Sequence, residues 1–293
     1  MAEQIDNTEA SSIDKYKKAE ESIIMTINRP AFLIRNDRVD DSITTKWKQR
    51  IDDNSDKISS TIPGVGRLEI KGHPNYPWAG TGWLVAGTDI IVTNKHVADI
   101  FTSEVRGKLK INDDYRGNPL RVNIDFKEEY GIHEEHEFNI KEVIYIAKNN
   151  EPDIALLRVQ RENSKGKSLP RGLKISFEKM SPDDNVYVVG YPAYNLGGEI
   201  KLYDFIFKGI SNVKRLAPGD IYPSSAASYL YMHDCSTWYG NSGSPVIDLY
   251  SGKVVGIHYA GSAHEYKGVR ANWAVTSTYL IELLEQLNIP ISF

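Results

Sequence analysis

From Gly64 onward, short β-branched and aromatic runs alternate with Gly, Pro, Asn and Asp: VGRLEI, GWLVAG, DIIVTN, LRVNIDF, EVIYIA, DIALLRV, NVYVVGY, LYDFIFKGI, YLYMHD, PVIDL, KVVGIHYAG and VRANWAV. Short strands punctuated in this way predict a sandwich or closed barrels rather than alternating strands and helices. The ends of the chain read differently. Residues 10–24 and 41–60 are charged and poor in glycine, and Ile43, Trp47 and Ile51 recur at the spacing of one helix face. Asp41 or Ser42 is placed to cap that helix. Between the helical stretches, RPAFLIRNDRV (29–39) reads as a strand or packed extended segment. At the C-terminus STYLIELLEQL (277–287) returns to helical spacing, with Ser277 in the N-cap position and Glu282 in the early turns. The order is helical arm, β-domain, helix, with no internal repeat and no low-complexity tract.

Composition narrows the function classes. Hydrophobic residues make up 41% and charged residues 25% of 293, enough for a sizeable core. The net charge of −4 and the scattered Lys and Arg give no footprint for nucleic acid or an anionic membrane, so neither is expected as a partner. The single cysteine, Cys235, rules out an intramolecular disulfide and reads as a buried strand-end residue rather than a reactive thiol. The N-terminus lacks the apolar stretch of a secretory signal, and no run reaches the ~20 apolar residues of a membrane span. The expectation is a soluble, cytoplasmic protein.

Three polar residues stand where chemistry would need them. Ser242 lies in YGNSGSPV (239–246), where flanking glycines permit a tight turn that exposes the hydroxyl and gathers backbone N–H groups. Acyl transfer needs such donors for the oxyanion of its tetrahedral intermediate, and the N–H groups of Gly240 and Ser242 are the expected pair. The plain alternative is a glycine-rich turn with an ordinary serine. His96, in IIVTNKHVADIF (90–101), sits at the polar end of an apolar strand, a rigid place from which imidazole takes a serine proton. A surface histidine at a strand-to-helix junction is its alternative. Asp153 opens PDIALLRV (152–159), directly before an apolar strand, which suits a buried acceptor for His96 or else a turn cap after Pro152. The three follow in the order His, Asp, Ser, separated by 57 and 89 residues.

TNKHV, DIALL and GNSGSP resemble the three catalytic blocks of trypsin-like serine proteases, over about residues 64–290. The resemblance implies an all-β, chymotrypsin-like fold of two six-stranded antiparallel β-barrels with the site in the cleft between them. It divides the chain into an N-terminal helical arm (1–63), a first barrel (64–165) with His96 and Asp153, and a second barrel (166–293) with Ser242 and the C-terminal helix. GTGW (80–83) is similar to the strand before the histidine block in bacterial members. The implied activity is that of a serine endopeptidase acting through an acyl-enzyme on a polypeptide substrate, with no cofactor and no metal. One departure is informative. Animal digestive enzymes carry an aspartate before the serine that pairs with the amine freed on zymogen cleavage. Asn241 stands here, so activation by that route is not expected.

Specificity is read from the same resemblance. Thr237 and His258 match the positions that bind the substrate carboxylate in glutamyl endopeptidases, whose sequences also read GNSGSP followed by GIH. A hydroxyl and an imidazole suit an acidic side chain, which implies cleavage after Glu or Asp. The alternative is a strand histidine packed behind the site. Trp238 and Tyr239 depart from the small residues of those enzymes and are expected to narrow the pocket. Tyr259 and Gly261, on the strand edge after His258, are implied to pair with substrate backbone. His133 and His136 in the acidic stretch 125–138 form an H-x-x-H pair, read as part of a solvated loop rather than a metal site. The arm, residues 1–63, either braces the barrels or docks a regulatory protein. The rival functions are a protease-fold module that binds peptide without cutting it, and a component silent until a partner engages the arm.

Overall fold

The structure is a computed structural model that describes residues 29–40, 46–194, 200–222, 227–266 and 269–292. Ile43, the expected caps Asp41 and Ser42, and the helix expected over 10–24 lie outside the described residues. The description starts in a hairpin of β1 (Phe32–Arg35) and β2 (Arg38–Asp40), turned by Asn36 and Asp37 at φ of 52° and 59°. Two left-handed residues in succession make the hairpin turn that matches strand twist, and Asn and Asp tolerate it best after Gly. Helices α1 (Lys46–Asp53) and α2 (Ser55–Thr61) follow, with Trp47, Ile51 and Ile58 buried.

The first barrel is built from β3 (Val65–Lys71), β4 (Trp78–Leu84), β5 (Ile90–Thr93), β8 (Arg121–Asp125), β9 (Glu137–Ile146) and β10 (Ala155–Val159). These close in the order β10-β5-β4-β3-β8-β9 around Leu68, Ile70, Leu84, Ile91, Ile124 and Leu157. A short helix, α3 (Lys95–Ala98), follows β5, and a separate hairpin of β6 (Thr102–Val105) and β7 (Lys108–Ile111) stands outside the ring.

The second barrel uses β11 (Asn185–Gly190), β12 (Arg215–Tyr222), β13 (Leu230–His233), β14 (Pro245–Asp248), β15 (Val254–Tyr266) and β16 (Val269–Thr276). Their order is β11-β14-β15-β16-β13-β12, and β12 closes the ring by pairing with β11 from Asn185↔Asp220 to Gly190↔Arg215. The β1–β2 hairpin joins from outside, where β1 pairs with β12 at Phe32↔Leu216 and Leu33↔Arg215. Helix α4 (Ile200–Phe207) lies between β11 and β12, and α5 (Ser277–Gln286) ends the fold. Among the described residues no helix is long and apolar enough to cross a membrane.

Three local expectations are corrected. The run LYDFIFKGI is helical over its first part, because Tyr203 and Phe207 fall one turn apart on a single buried face. Strand β12 is absent from the predicted runs because Pro218 and Gly219 read as a turn; the glycine is needed where a Cβ would lie 2.6 Å from the Asp234 carboxylate. The cap of α5 is Thr276 rather than Ser277: Thr276 is still extended, and its Oγ1 accepts the Tyr279 N–H.

One apolar core runs through the seam and joins Trp47, Ile51 and Ile58 of the arm to Trp83, Val92, Tyr187 and Ile257 of the barrels and Leu280 and Leu284 of α5. Charge is buried there too. Lys214 is fully enclosed, donates from Nζ to the Phe126 carbonyl (2.6 Å) and the Ile62 carbonyl (3.2 Å), and lies 3.6 Å from Glu129 Oε1. Burial pulls its ammonium down to about 8. Glu129 is also 3.6 Å from Lys127, which binds Asp37 of the hairpin turn at 2.6 Å.

Candidate active site

Strand β5 ends at Thr93, and the chain turns through Asn94 into α3, which carries His96. Because β10 runs beside β5, with Ala155 opposite Thr93, Asp153 comes level with that turn. Asn94 Nδ2 fixes the level by donating to the Asp153 carbonyl at 2.7 Å. The carboxylate then meets His96 twice. The His96 backbone N–H donates to Oδ1 at 3.1 Å, and Nδ1 lies 2.5 Å from Oδ2. An ionised carboxylate only accepts, so Nδ1 carries the hydrogen and Nε2 is the basic atom of the neutral ring.

Ser242 lies in the turn before β14, between Gly240 at φ +85° and Gly243 at φ +88°. A Cβ at Gly240 would sit 2.4 Å from the Tyr191 carbonyl and 2.5 Å from the Trp78 ring. One at Gly243 would sit 2.1 Å from the Thr81 carbonyl. Only glycine fits either place. The turn folds on itself: Asn241 N–H donates to Trp238 O at 3.0 Å, Ser244 N–H to Asn241 O at 2.9 Å, and Asn241 Nδ2 to Trp238 O at 3.1 Å.

Thr81 of β4 joins the two halves. Its N–H donates to the Ser242 carbonyl at 3.0 Å and its Oγ1 to the Gly240 carbonyl at 2.8 Å, while Thr93 Oγ1 donates to the Thr81 carbonyl at 2.7 Å. A Cβ at Gly80 would meet Val97, the neighbour of His96, at 2.9 Å and the Ser242 carbonyl at 3.1 Å. The histidine block and the serine turn therefore converge on Gly80 and Thr81.

The residues expected to face a substrate side chain cluster beyond the turn. His258 of β15 is tied to the serine turn by its own backbone: Gly243 N–H donates to its carbonyl at 3.0 Å, and its N–H donates to the Ser244 carbonyl at 2.9 Å. Both Thr237 and His258 are fully buried, and Thr237 Oγ1 has no hydrogen-bond partner among the described residues. A second histidine fixes the first. Cys235 N–H donates to His233 Nδ1 at 3.3 Å, and His233 Nε2 lies 3.2 Å from His258 Nδ1. Burial, then the neighbouring His258, push His233 well below the ordinary histidine range, so it is neutral. With Nδ1 accepting, His233 Nε2 donates, and His258 Nε2 is left carrying hydrogen.

Past Ile257↔Pro245 the β14 ladder ends, while β16 continues opposite Ala260 and Gly261. Tyr259 and Gly261 thus lie on a strand whose other edge runs beyond β14. Burial and then the Asp153 charge push the Tyr259 hydroxyl up to about 12. Trp238 is buried with its ring 5.6 Å from Tyr203 of α4, edge to face. The His133–His136 pair takes no part here. His133 is exposed, and His136 packs against Phe138 at 5.0 Å between centroids. Among the described residues no group of three or more His, Cys, Asp or Glu is placed to hold a metal ion.

Thr81, Asn94 and His233 escape the sequence reading. His233 carries a signal there, as the histidine that directly follows the apolar YLYM run. Thr81 and Asn94 stand inside the GTGW and TNKHV blocks, but their bonds to distant backbone carbonyls leave no local pattern that singles them out.

A family model for the trypsin-like peptidase domain matches residues 80–257. No curated protein matches the chain. Among solved structures, the chain is similar to an HtrA-type protease, AlgW, with decapeptide, at 14% identity and a TM-score of 0.51. That match covers 79% of this chain and 66% of that one. A serine endoprotease from Yersinia pestis is similar at 18% identity and a TM-score of 0.52, covering 84% of this chain and 68% of that one. The match thus spans about two thirds of the length of each, and at these identities the likeness concerns the fold.

Proposed function

This chain belongs to the trypsin-like peptidase family, and from that premise we propose that it is a serine endopeptidase with Ser242 as nucleophile, His96 as general base and Asp153 as orienter. The observation that carries the reading is the double contact of Asp153 with His96, which leaves Nε2 as the basic atom of a ring held on the same strand pair that seats the serine turn. In this reading Nε2 removes the Ser242 proton as Oγ attacks the scissile carbonyl. The N–H groups of Gly240 and Ser242 receive the oxyanion, each donor contributing about 3–4 kcal/mol to the transition state. His96 then protonates the leaving amine, and water, activated by the same imidazole, releases the acyl group.

The finer part of the proposal is cleavage after Glu or Asp. A hydrogen-bearing His258 Nε2 and the unpartnered Thr237 hydroxyl present donors that a carboxylate accepts, and Trp238 turns toward α4. The described part of the arm is built into the seam core, which favours a bracing part for residues 46–61 over a docking one.

A fluorophosphonate probe tests the first claim. The wild-type protein labels at Ser242, and Ser242→Ala and His96→Ala do not. A folded wild-type protein that resists the probe and binds peptide intact points to the binding module instead. A peptide-library profile tests the second claim, and preference for basic or large apolar residues before the cut site overturns it.

A further inference from the structure

The segment that enters the fold at Arg29 does more than add strands. The six strands of the second barrel close by themselves, and β1 joins β12 from outside. That pairing, with Arg215 Nη1 donating to the Ala31 carbonyl at 2.9 Å, fixes where the preceding residues lie. Arg29 is thereby delivered behind the chain that leaves β13. Its Nη2 donates at 2.5 Å to Asp220 of β12 and at 2.5 Å to Asp234, the first residue after β13. Its carbonyl accepts the Ser236 hydroxyl at 2.8 Å. One residue thus ties positions 234 and 236, immediately before Thr237.

We propose that Arg29 is a positioning residue for the substrate pocket: it holds residues 234–237 in the shape that presents Thr237 to the substrate side chain. The inference rests on the peptidase reading for what the wall does, and on geometry alone for what holds it.

The charges explain the need. Asp234 is buried, Asp220 half-buried, and one oxygen of each shares a single guanidinium nitrogen. Tyr222 also donates to Asp234 at 2.7 Å, but a neutral hydroxyl leaves two carboxylates facing one another. Without the guanidinium, repulsion and lost solvation drive Asp234 away from β12 or protonate it. Trp47 of α1 lies under the guanidinium at 5.1 Å, so the arm helix holds the cation in turn. Asp234 is also paired with Asp220 through the backbone, its Oδ1 accepting the Asp220 N–H at 2.7 Å and its own N–H donating to the Asp220 carbonyl at 3.1 Å, and Asn272 Nδ2 of β16 donates to the Cys235 carbonyl at 2.7 Å; none of these neutralises the second carboxylate.

Cys235 reports on the wall without any need for activity. It is the chain's single cysteine, wholly buried, and burial raises its thiol well above the ordinary range. In Arg29→Met, alkylation of Cys235 by iodoacetamide should accelerate about tenfold, the scale of one lost charged hydrogen bond, while Arg29→Lys stays near wild type. On peptide substrates Arg29→Met should raise KM about 10- to 100-fold with a smaller change in kcat, and fluorophosphonate labelling of Ser242, which needs no pocket, should keep its rate within about threefold. Unchanged thiol reactivity and unchanged KM in a folded Arg29→Met protein overturn the proposal. Should that variant not fold, Arg29→Met with Asp234→Asn removes the guanidinium and one of its two carboxylates; faster Cys235 alkylation with a raised KM supports the proposal, and unchanged values of both overturn it. If the wild-type protein ignores the fluorophosphonate, the peptidase reading falls while the thiol rate still judges Arg29.

Discussion

The first barrel holds His96 and Asp153 with ties that arise inside its own ring, through Asn94, the β5–β10 pairing and an apolar interior. The second barrel carries Ser242, Thr237 and His258 on ties that leave its ring: Thr81 from the other barrel, Arg29 from the N-terminal segment, and the buried Lys214 at the seam. One half is a self-contained support for the His96–Asp153 pair. The other is assembled from several parts of the chain, and buried charge takes the place of some of the apolar packing. Apolar packing is non-directional and forgiving, whereas a buried ion pair fails as a unit when one partner goes.

The largest effect that probes this contrast is Asp153→Asn. It removes the first barrel's hold on the imidazole tautomer while keeping the shape, so kcat should fall by about four orders of magnitude with the melting temperature nearly unchanged. Steady-state kinetics on a peptide substrate, beside thermal unfolding, measures both. Next is Lys214→Met, which removes one of the two cations 3.6 Å from the buried Glu129 and should destabilise by about 3–5 kcal/mol, with much of the loss recovered when Glu129→Gln is added. Leu157→Ala in the first barrel should lose about 2–5 kcal/mol, and no second substitution of polarity should rescue it. Chemical denaturation of the four proteins shows whether the two halves differ in this way.

The smallest effect lies at Glu69 of β3, which alternates with the core residues Leu68 and Ile70 and so stands on the barrel's outer face. Burial pushes the Glu69 carboxyl up to about 7, although Arg67 Nε lies 2.5 Å away and opposes the shift. The folded state therefore keeps a proton that the unfolded chain releases near 4.5. That contribution is full below about pH 4.5 and is lost as the pH rises through 7. Glu69→Gln should flatten this part of the stability profile, by about 1–3 kcal/mol between pH 5 and 8. Unfolding free energies at several pH values read the slope directly.

The same contrast decides what was legible in the sequence. Strands such as IIVT and ALLRV announce themselves, because a barrel interior made of apolar side chains writes its period into the chain. His96, Asp153 and Ser242 were legible as three blocks in order; the structure pairs Asp153 with His96, and the histidine and serine blocks meet at Gly80 and Thr81. Strand β12 was not, since the close approach of Asp234 demands glycine where a strand would favour a branched residue. Helix α4 was not, since an apolar run of its length satisfies both periods. The Arg29–Asp234 pair, 205 residues apart, leaves no local pattern at all.

Thr81 has a mechanical consequence. With its amide on the Ser242 carbonyl and its hydroxyl on the Gly240 carbonyl, it grips the loop at two points less than a turn apart. Displacing the serine loop from the first barrel therefore means breaking both bonds at once, so the position of residue 242 is set from across the seam and not by its own barrel alone.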